Sequence, residues 1–181
     1  FSVFSSRCMT APGLETRPMP SGGWLLAGAA LCGGRAYALL ADFFAQTARM
    51  MGMDTNAPYA AMEGLLKSAD RPEDVPTVLP LFEGTRQDST QTGSITGLTA
   101  ENFTPLHLIY GMMDGMAHEL HQMYQAYRAA GGTAKKLIGS GGGLRNNRFL
   151  CESFSRVFDS AIILSDGREE AACGAALYAA D

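Results

Sequence analysis

The residues best suited to chemistry in this chain are concentrated in LIGSGGGLRNN, residues 137–147. Glycine has no Cβ and tolerates positive φ, so a run such as Gly141, Gly142 and Gly143 lets a ligand approach the backbone, and the free N–H groups of a following helix attract phosphate. Nucleotide binding is the chemistry this pattern points to. The competing reading is a plain strand-to-helix turn, yet three consecutive glycines exceed what a turn needs and each costs about 0.5–1 kcal/mol of ordering. A P-loop is excluded, because no lysine and hydroxyl pair follows the spacer. A dinucleotide fingerprint takes Gly139 and Gly141 but meets Leu144 where its third glycine belongs, although Asp166 stands where a ribose-binding acid would. Only 38 residues follow Gly143, too few for the rest of a dinucleotide-binding sheet.

Other candidates are weaker. His118-Glu119-Leu120-His121 lacks the spacing of a zinc-protease motif and reads as a solvated helix face. Arg86 in GTRQD is a candidate for meeting a ligand or another domain, against the plainer reading of a solvated arginine. Cys8, Cys32, Cys151 and Cys173 lie far apart with no C-x-x-C pair, so neither a zinc framework nor a disulfide scaffold is suggested. Four buried, reduced thiols of a cytoplasmic protein are expected instead, and no metal site is expected within the chain. The ten methionines fall mostly at helical core spacings and read as core filler.

The elements that must position these residues follow from composition and pattern. With 181 residues, 46% hydrophobic and 18% charged, the chain is neither disordered nor collagenous nor a coiled coil. Fourteen Lys and Arg against 18 Asp and Glu supply no basic field for nucleic acid. The longest uncharged apolar stretch, residues 24–34, is short of the roughly 20 residues that span a bilayer, so no membrane partner is expected. FSVFSSRCMTAPG lacks the regions of a signal peptide and opens without Met as though cut into at a strand, so something longer is expected.

FSVF and LETRP, separated by Pro12-Gly13, read as a β-hairpin. WLLAGAALCGGRAYALLADFFAQTARMM reads as a short strand entering a helix of about four turns, with Leu39, Leu40, Phe43, Phe44 and Thr47 on its inner face. Asn56 and Pro58 start a second helix, Tyr59 to Lys67, turning Met62, Leu65 and Leu66 inward. Residues 70–76 are a polar linker, VPTVLPLFEGT and SITGL are extended, and the loop between them is exposed. Thr104-Pro105 begins a long helix carrying Leu106, Ile109, Tyr110, Met113, Ala117, Leu120, Tyr124 and Tyr127, which ends near Gly131-Gly132. The last fifty residues alternate strand KKLIGS, turn GGGL, helix RNNRFLCESFSRVF, strand AIILS, turn DGR and helix EEAACGAALYAA, which argues for an α/β layer.

LIGSGGGLRNNRFLCESFSRVF with the later EEAACGAALYAA resembles the adenosine motif of FGGY-type carbohydrate kinases. LETRP followed by WLLAGAALCGGRAYALLADFF, and FEGTRQDSTQTGSITGLT with the long helix, resemble further parts of that family's C-terminal domain in the same order. LCGGRAYALL is most similar to sedoheptulokinase-like members. The resemblance implies that residues 1–181 are one nucleotide-binding domain, an actin-like (ribonuclease H-like) half-fold with a mixed sheet flanked by helices, and that the enzyme uses ATP and Mg²⁺. It places Gly142 and Asn146 beside adenine and ribose, Gly141 and Gly143 shaping the turn, and Arg145 nearby. It gives Gly28 a close approach to nucleotide, tight helix packing being the alternative. It also sets Cys32 where glycerol kinases carry Gln, with Gly33 or Gly34 still allowing approach.

Family members keep the catalytic Asp, the first phosphate loop and most sugar contacts in an N-terminal domain, and a second phosphate loop upstream of Phe1. The expected partners are therefore ATP, a small sugar of the ketose class such as sedoheptulose, and that N-terminal domain, with no catalytic residue in this chain. An exposed cleft wall would also be a candidate surface for homodimerisation. A dinucleotide-binding fragment and a noncatalytic actin-like interaction domain are the rival readings.

Overall fold

Three short strands open the chain, in an order that departs from the expected hairpin. The computed structural model describes residues 1–53, 57–134, 136–167 and 169–180. In it β1 (Ser2–Ser5), β2 (Glu15–Pro18) and β3 (Trp24–Ala27) form a sheet in the order β1-β3-β2, with both outer strands antiparallel to β3. The hairpin joins β2 to β3 and is closed by the Met19 N–H donating to Gly23 O at 3.0 Å. β3 is the most apolar of the three and takes the centre. Its Leu26 is fully buried and lies opposite Val3 on one side and Thr16 on the other.

The chain divides into two compact units, residues 1–134 and 135–181. In the first, α1 (Gly33–Met50) runs five turns. Its buried stripe is Ala36, Leu40, Ala41 and Ala45, while Leu39 and Phe43 are exposed, Phe43 by 54%. The inner face is thus rotated from the one the larger side chains suggested, because α1 packs on α3 (Pro105–Ala129) and alanines let two helices approach closely. α2 (Pro58–Ser68) buries Met62 and Leu66 as expected. The expected cap, Asn56, lies outside the described residues, and the backbone cap is Ala57. Met62, Met112 and Met113 are core residues, whereas Met50, Met51 and Met53 are exposed at and beyond the end of α1, so the core-filler reading fails for those three.

α3 starts as its sequence predicts, with the Thr104 side chain accepting from the His107 N–H. From Leu108 to Gly115 every residue is buried. β4 (Thr77–Leu79), paired antiparallel with β5 (Ser94–Thr96), lies directly against this stretch. The contact requires glycine. A Cβ on Gly111 would sit 2.8 Å from Pro76 O, and one on Gly115 would strike Val78 O. Asp114, buried in the same turn, accepts from Arg71 at 2.5 and 3.3 Å, and the Arg71 guanidinium stacks 4.8 Å above the Tyr110 ring. Arg71 therefore docks the segment that the sequence presented as a plain polar linker. Asn102 does similar work, donating to Asp74 O at 3.0 Å and Gly97 O at 2.9 Å.

In the second unit, β6 (Leu137–Gly139) and β7 (Ile162–Leu164) pair in parallel. α4 (Gly142–Asn146) and α5 (Arg148–Val157) lie between them in sequence, and α6 (Glu170–Ala180) follows. The expected α/β class holds, with the strands among the described residues shared among three small sheets. All four cysteines are free, but only Cys32 is buried; Cys8 lies in the loop after β1 and Cys173 on the exposed side of α6. The expectation of four buried thiols is corrected accordingly. Among the described residues no helix is long and apolar enough to cross a membrane.

The glycine contact makes a direct prediction. Gly115→Ala forces a methyl group onto strand backbone and should lower unfolding stability by about 2–3 kcal/mol in urea titration. Gly64→Ala, in the exposed interior of α2 with nothing within 4 Å, should raise it by about 0.5–1 kcal/mol.

Candidate functional site

The glycine-rich turn leaves β6 through Gly139, which is buried and packed: a Cβ there would lie 2.6 Å from Ile162 Cδ1. That glycine serves the strand pair. Gly141 serves the turn itself, since its φ of +97° belongs to a region that side-chain-bearing residues avoid. α4 then begins at Gly142. Gly141, Gly142 and Gly143 are all exposed, and a Cβ on Gly141 would meet nothing within 4 Å. The Asn146 side chain, also exposed, lies beside Gly142, with its Nδ2 3.8 Å from that residue's Cβ position. Open backbone and a carboxamide are thus brought together in one short turn.

The single helix expected after the glycines is interrupted. Asn147 adopts an extended conformation (φ −133°, ψ 96°) and its side chain accepts from the Leu150 N–H at 3.1 Å, capping α5. A capping side chain competes with the helical path of its own backbone. The break holds Asn146 at the end of α4, so the two adjacent asparagines have different work. Arg145, expected near the ligand, donates to Gly167 O and the Glu170 carboxylate, bracing the turn before α6. Glu170 is held below the usual carboxylate range, first by its own backbone N–H and then by neighbours that include Arg145.

Gly28, Cys32 and Gly33 lie along one connection in the first unit, from β3 to α1. Gly28 extends the β1–β3 ladder, its N–H donating to Phe1 O at 2.9 Å. A Cβ on Gly28 would sit 2.7 Å from both Leu14 and Met123, so close packing is part of its role. Cys32 occupies the N-cap position of α1 with no side-chain cap bond, and is only 4% exposed. Burial, followed by the Glu83 carboxylate, pushes its thiol up. Gly33, at φ +42°, and Gly34 have open space where a Cβ would be.

Beside Gly28 lies an open groove of about 410 Å³ whose charged lining is Glu15, Arg17 and Arg86. Arg17 reaches Glu15 at 2.5 Å and Arg86 reaches it at 2.8 Å. Arg86 is thus paired within the unit as well as exposed. The sequence reading missed Glu15 and Arg17, although the E-x-R alternation within a strand places both on one face. Among the described residues no group of three His, Cys, Asp or Glu side chains is arranged to hold a metal ion.

Residues 6–180 match the model of the FGGY family of carbohydrate kinases, C-terminal domain. The chain belongs to the FGGY family. One curated FGGY-like relative, the xylulose kinase of Bacillus subtilis, is 28% identical over 93 residues, covering 51% of this chain and 18% of that protein. Among solved structures, xylulose kinase from Rhodospirillum rubrum superposes with a TM-score of 0.72 at 22% identity, covering 90% of this chain and 32% of that one. Plasmodium falciparum glycerol kinase with ADP superposes at 0.71 and 18% identity, covering 97% and 35%. These likenesses show the actin-like ATPase fold. The chain spans about a third of the length of these solved FGGY kinases.

The division of labour between the two asparagines is testable in the FGGY domain itself. Asn147→Ala should cost about 1 kcal/mol of stability through loss of the α5 cap, whereas Asn146→Ala, exposed at the end of α4, should leave thermal unfolding unchanged.

Proposed function

We propose that this chain is the C-terminal, nucleotide-binding domain of an ATP-dependent carbohydrate kinase that transfers the γ-phosphate of ATP to a sugar hydroxyl. The observation that carries the reading is the exposed Gly141–Gly143 backbone beside the Asn146 carboxamide, in a chain of the FGGY family. The group fits the residues. A Cβ at Gly141 would project into open space and one at Gly142 would meet only the Asn146 carboxamide, and backbone amides with a carboxamide offer both donors and acceptors to an adenine edge or a ribose without charge. Gly142 and Asn146 are the residues proposed to border adenine and ribose, with Gly141 and Gly143 setting the turn. Arg145 supports it from behind through Gly167 and Glu170.

Gly28, Cys32 and Gly33 are proposed as the nucleotide-facing residues of the first unit. With the Cys32 thiol buried and the Gly28 N–H and carbonyl both bonded to Phe1, this connection offers a ligand backbone at Gly33 in place of a polar side chain there. ATP supplies the phosphoryl group, and Mg²⁺ neutralises charge on its phosphates. No described residue is assigned to the metal. The catalytic base and the sugar contacts belong to an N-terminal domain beyond this chain, and the protein works in the cytoplasm. The sugar is a ketose such as sedoheptulose. Support for that class comes from the LCGGRAYALL resemblance and from the xylulose kinases among the relatives, whose names specify a ketose.

Titration calorimetry of the 181-residue chain tests the reading. MgADP and MgATP should bind, and Asn146→Ala should weaken them about tenfold, the equivalent of one lost hydrogen bond of roughly 1.4 kcal/mol. Preference for NAD would favour the dinucleotide-binding rival, and silence toward every nucleotide the interaction domain. The isolated chain should transfer no phosphate to any sugar; measurable turnover would place the catalytic base within it.

A further inference from the structure

The charged groove of the first unit has more positive charge and more hydrogen-bond donors than its own contacts use. Glu15 and Arg17 project from the outward face of β2, two residues apart, while Thr16 between them turns inward to donate to Met9 O. Arg86 comes from a loop ordered by its own hydrogen bonds. Thr85 N–H donates to Asp88 O at 2.9 Å, Asp88 N–H to the Thr85 hydroxyl at 3.0 Å, and Thr90 N–H to the Asp88 carboxylate at 2.9 Å. Arg17 uses Nε and Nη2 on one oxygen of Glu15, and Arg86 uses Nη1 on the other. The other guanidinium donors have no further partner among the described residues.

One carboxylate between two guanidiniums leaves a net positive charge. Glu15 is itself held below the usual carboxylate range, first by the Arg17 hydrogen bond, so it serves as a fixed counter-charge that aligns both forks. Exposed ion pairs add little to stability, so stability gives little reason for stationing two arginines on one acid. The wall between them is made of Gly13, Ala27, Gly28 and Ala29, small enough to leave the groove open, and Gln87 adds an amide at its edge. A volume of about 410 Å³ lies within the size range of small-ligand sites.

We propose that this groove binds a phosphoryl group, with Arg17 and Arg86 as its forked donors and Glu15 as the residue that positions them. Guanidinium matches phosphate oxygens in bidentate geometry, and the excess charge selects an anion. The inference rests on the phosphotransferase reading for its ligand class, since a phosphotransferase presents phosphoryl groups both on its nucleotide and on its phosphorylated sugar.

Inorganic pyrophosphate is the probe, titrated into the 181-residue chain by calorimetry at low ionic strength, with circular dichroism confirming the fold of each variant. Pyrophosphate should bind, Arg17→Gln and Arg86→Gln should each weaken it about tenfold, and Glu15→Gln should tighten it by removing the counter-charge. Absence of pyrophosphate binding, unchanged affinity in both arginine variants, or loss of affinity in a folded Glu15→Gln protein would overturn the proposal. The source of the phosphoryl group is read from pairs. A gain of ADP over adenosine that Arg86→Gln abolishes assigns it to the nucleotide, and the same gain of ribose 5-phosphate over ribose assigns it to the sugar. Adenosine that binds and depends on Asn146 while pyrophosphate is silent removes the groove and leaves the nucleotide-binding function standing.

Discussion

In the first unit, β4 and the residue before it rest directly on α3, the Pro76 carbonyl and Val78 side chain filling the space a Cβ would need at Gly111 and the Val78 carbonyl that at Gly115. With α1 and α2 also packed against α3, that contact leaves the helix buried on every side from Leu108 to Gly115. A helix buried all round must satisfy whatever polar group it carries. Asp114 does so by accepting both forks of Arg71. The ion pair in turn fixes the chain just before β4, and β4 with β5 flanks the loop that presents Arg86. Close packing at two glycines is thereby transmitted to the edge of the groove.

The same residue type performs opposite work in the second unit. Gly139 is buried against Ile162 and behaves as Gly115 does, whereas Gly141, Gly142 and Gly143 are exposed, with open space at the Cβ position of Gly141 and only Asn146 and Leu150 side-chain atoms, at 3.8 Å, near those of Gly142 and Gly143. A side chain at Gly139 would disrupt the strand pair, whereas a Cβ at Gly142 would meet only the Asn146 carboxamide, at 3.8 Å. The glycine surplus of the chain is therefore two populations, one spent on packing and one on access. The family match and the open turn together favour nucleotide at the second population, and the groove beside Gly28 has features of both.

Much of this was legible in the sequence where the signal was local. The Thr104-Pro105 start of α3, Met62 and Leu66 facing inward, and the exposed loop around Arg86 all follow from caps, period and polarity, and the structure has them. Non-local pairing was not legible. β1 and β2 are each compatible with a hairpin, and only the apolarity of Leu26 and the short Met19–Gly23 turn favour β3 as the central strand. On α1 the largest side chains suggested the inner face, but close approach to α3 selects the alanine stripe. The helix break at Asn147 was equally hidden, since two adjacent asparagines look alike until one is seen capping α5.

The sequence by itself determined the class of the molecule, its family and an exposed glycine-rich turn, because backbone access depends on residue type and those glycines are consecutive. Tertiary structure alone decided that Cys32 is buried, that Arg145 braces Gly167 and Glu170, and that Arg17 and Arg86 share Glu15. Each of those outcomes depends on which distant segment lies within a few ångströms. Glu15 and Arg86 are 71 residues apart in the chain, and only the fold brings their charges to 2.8 Å.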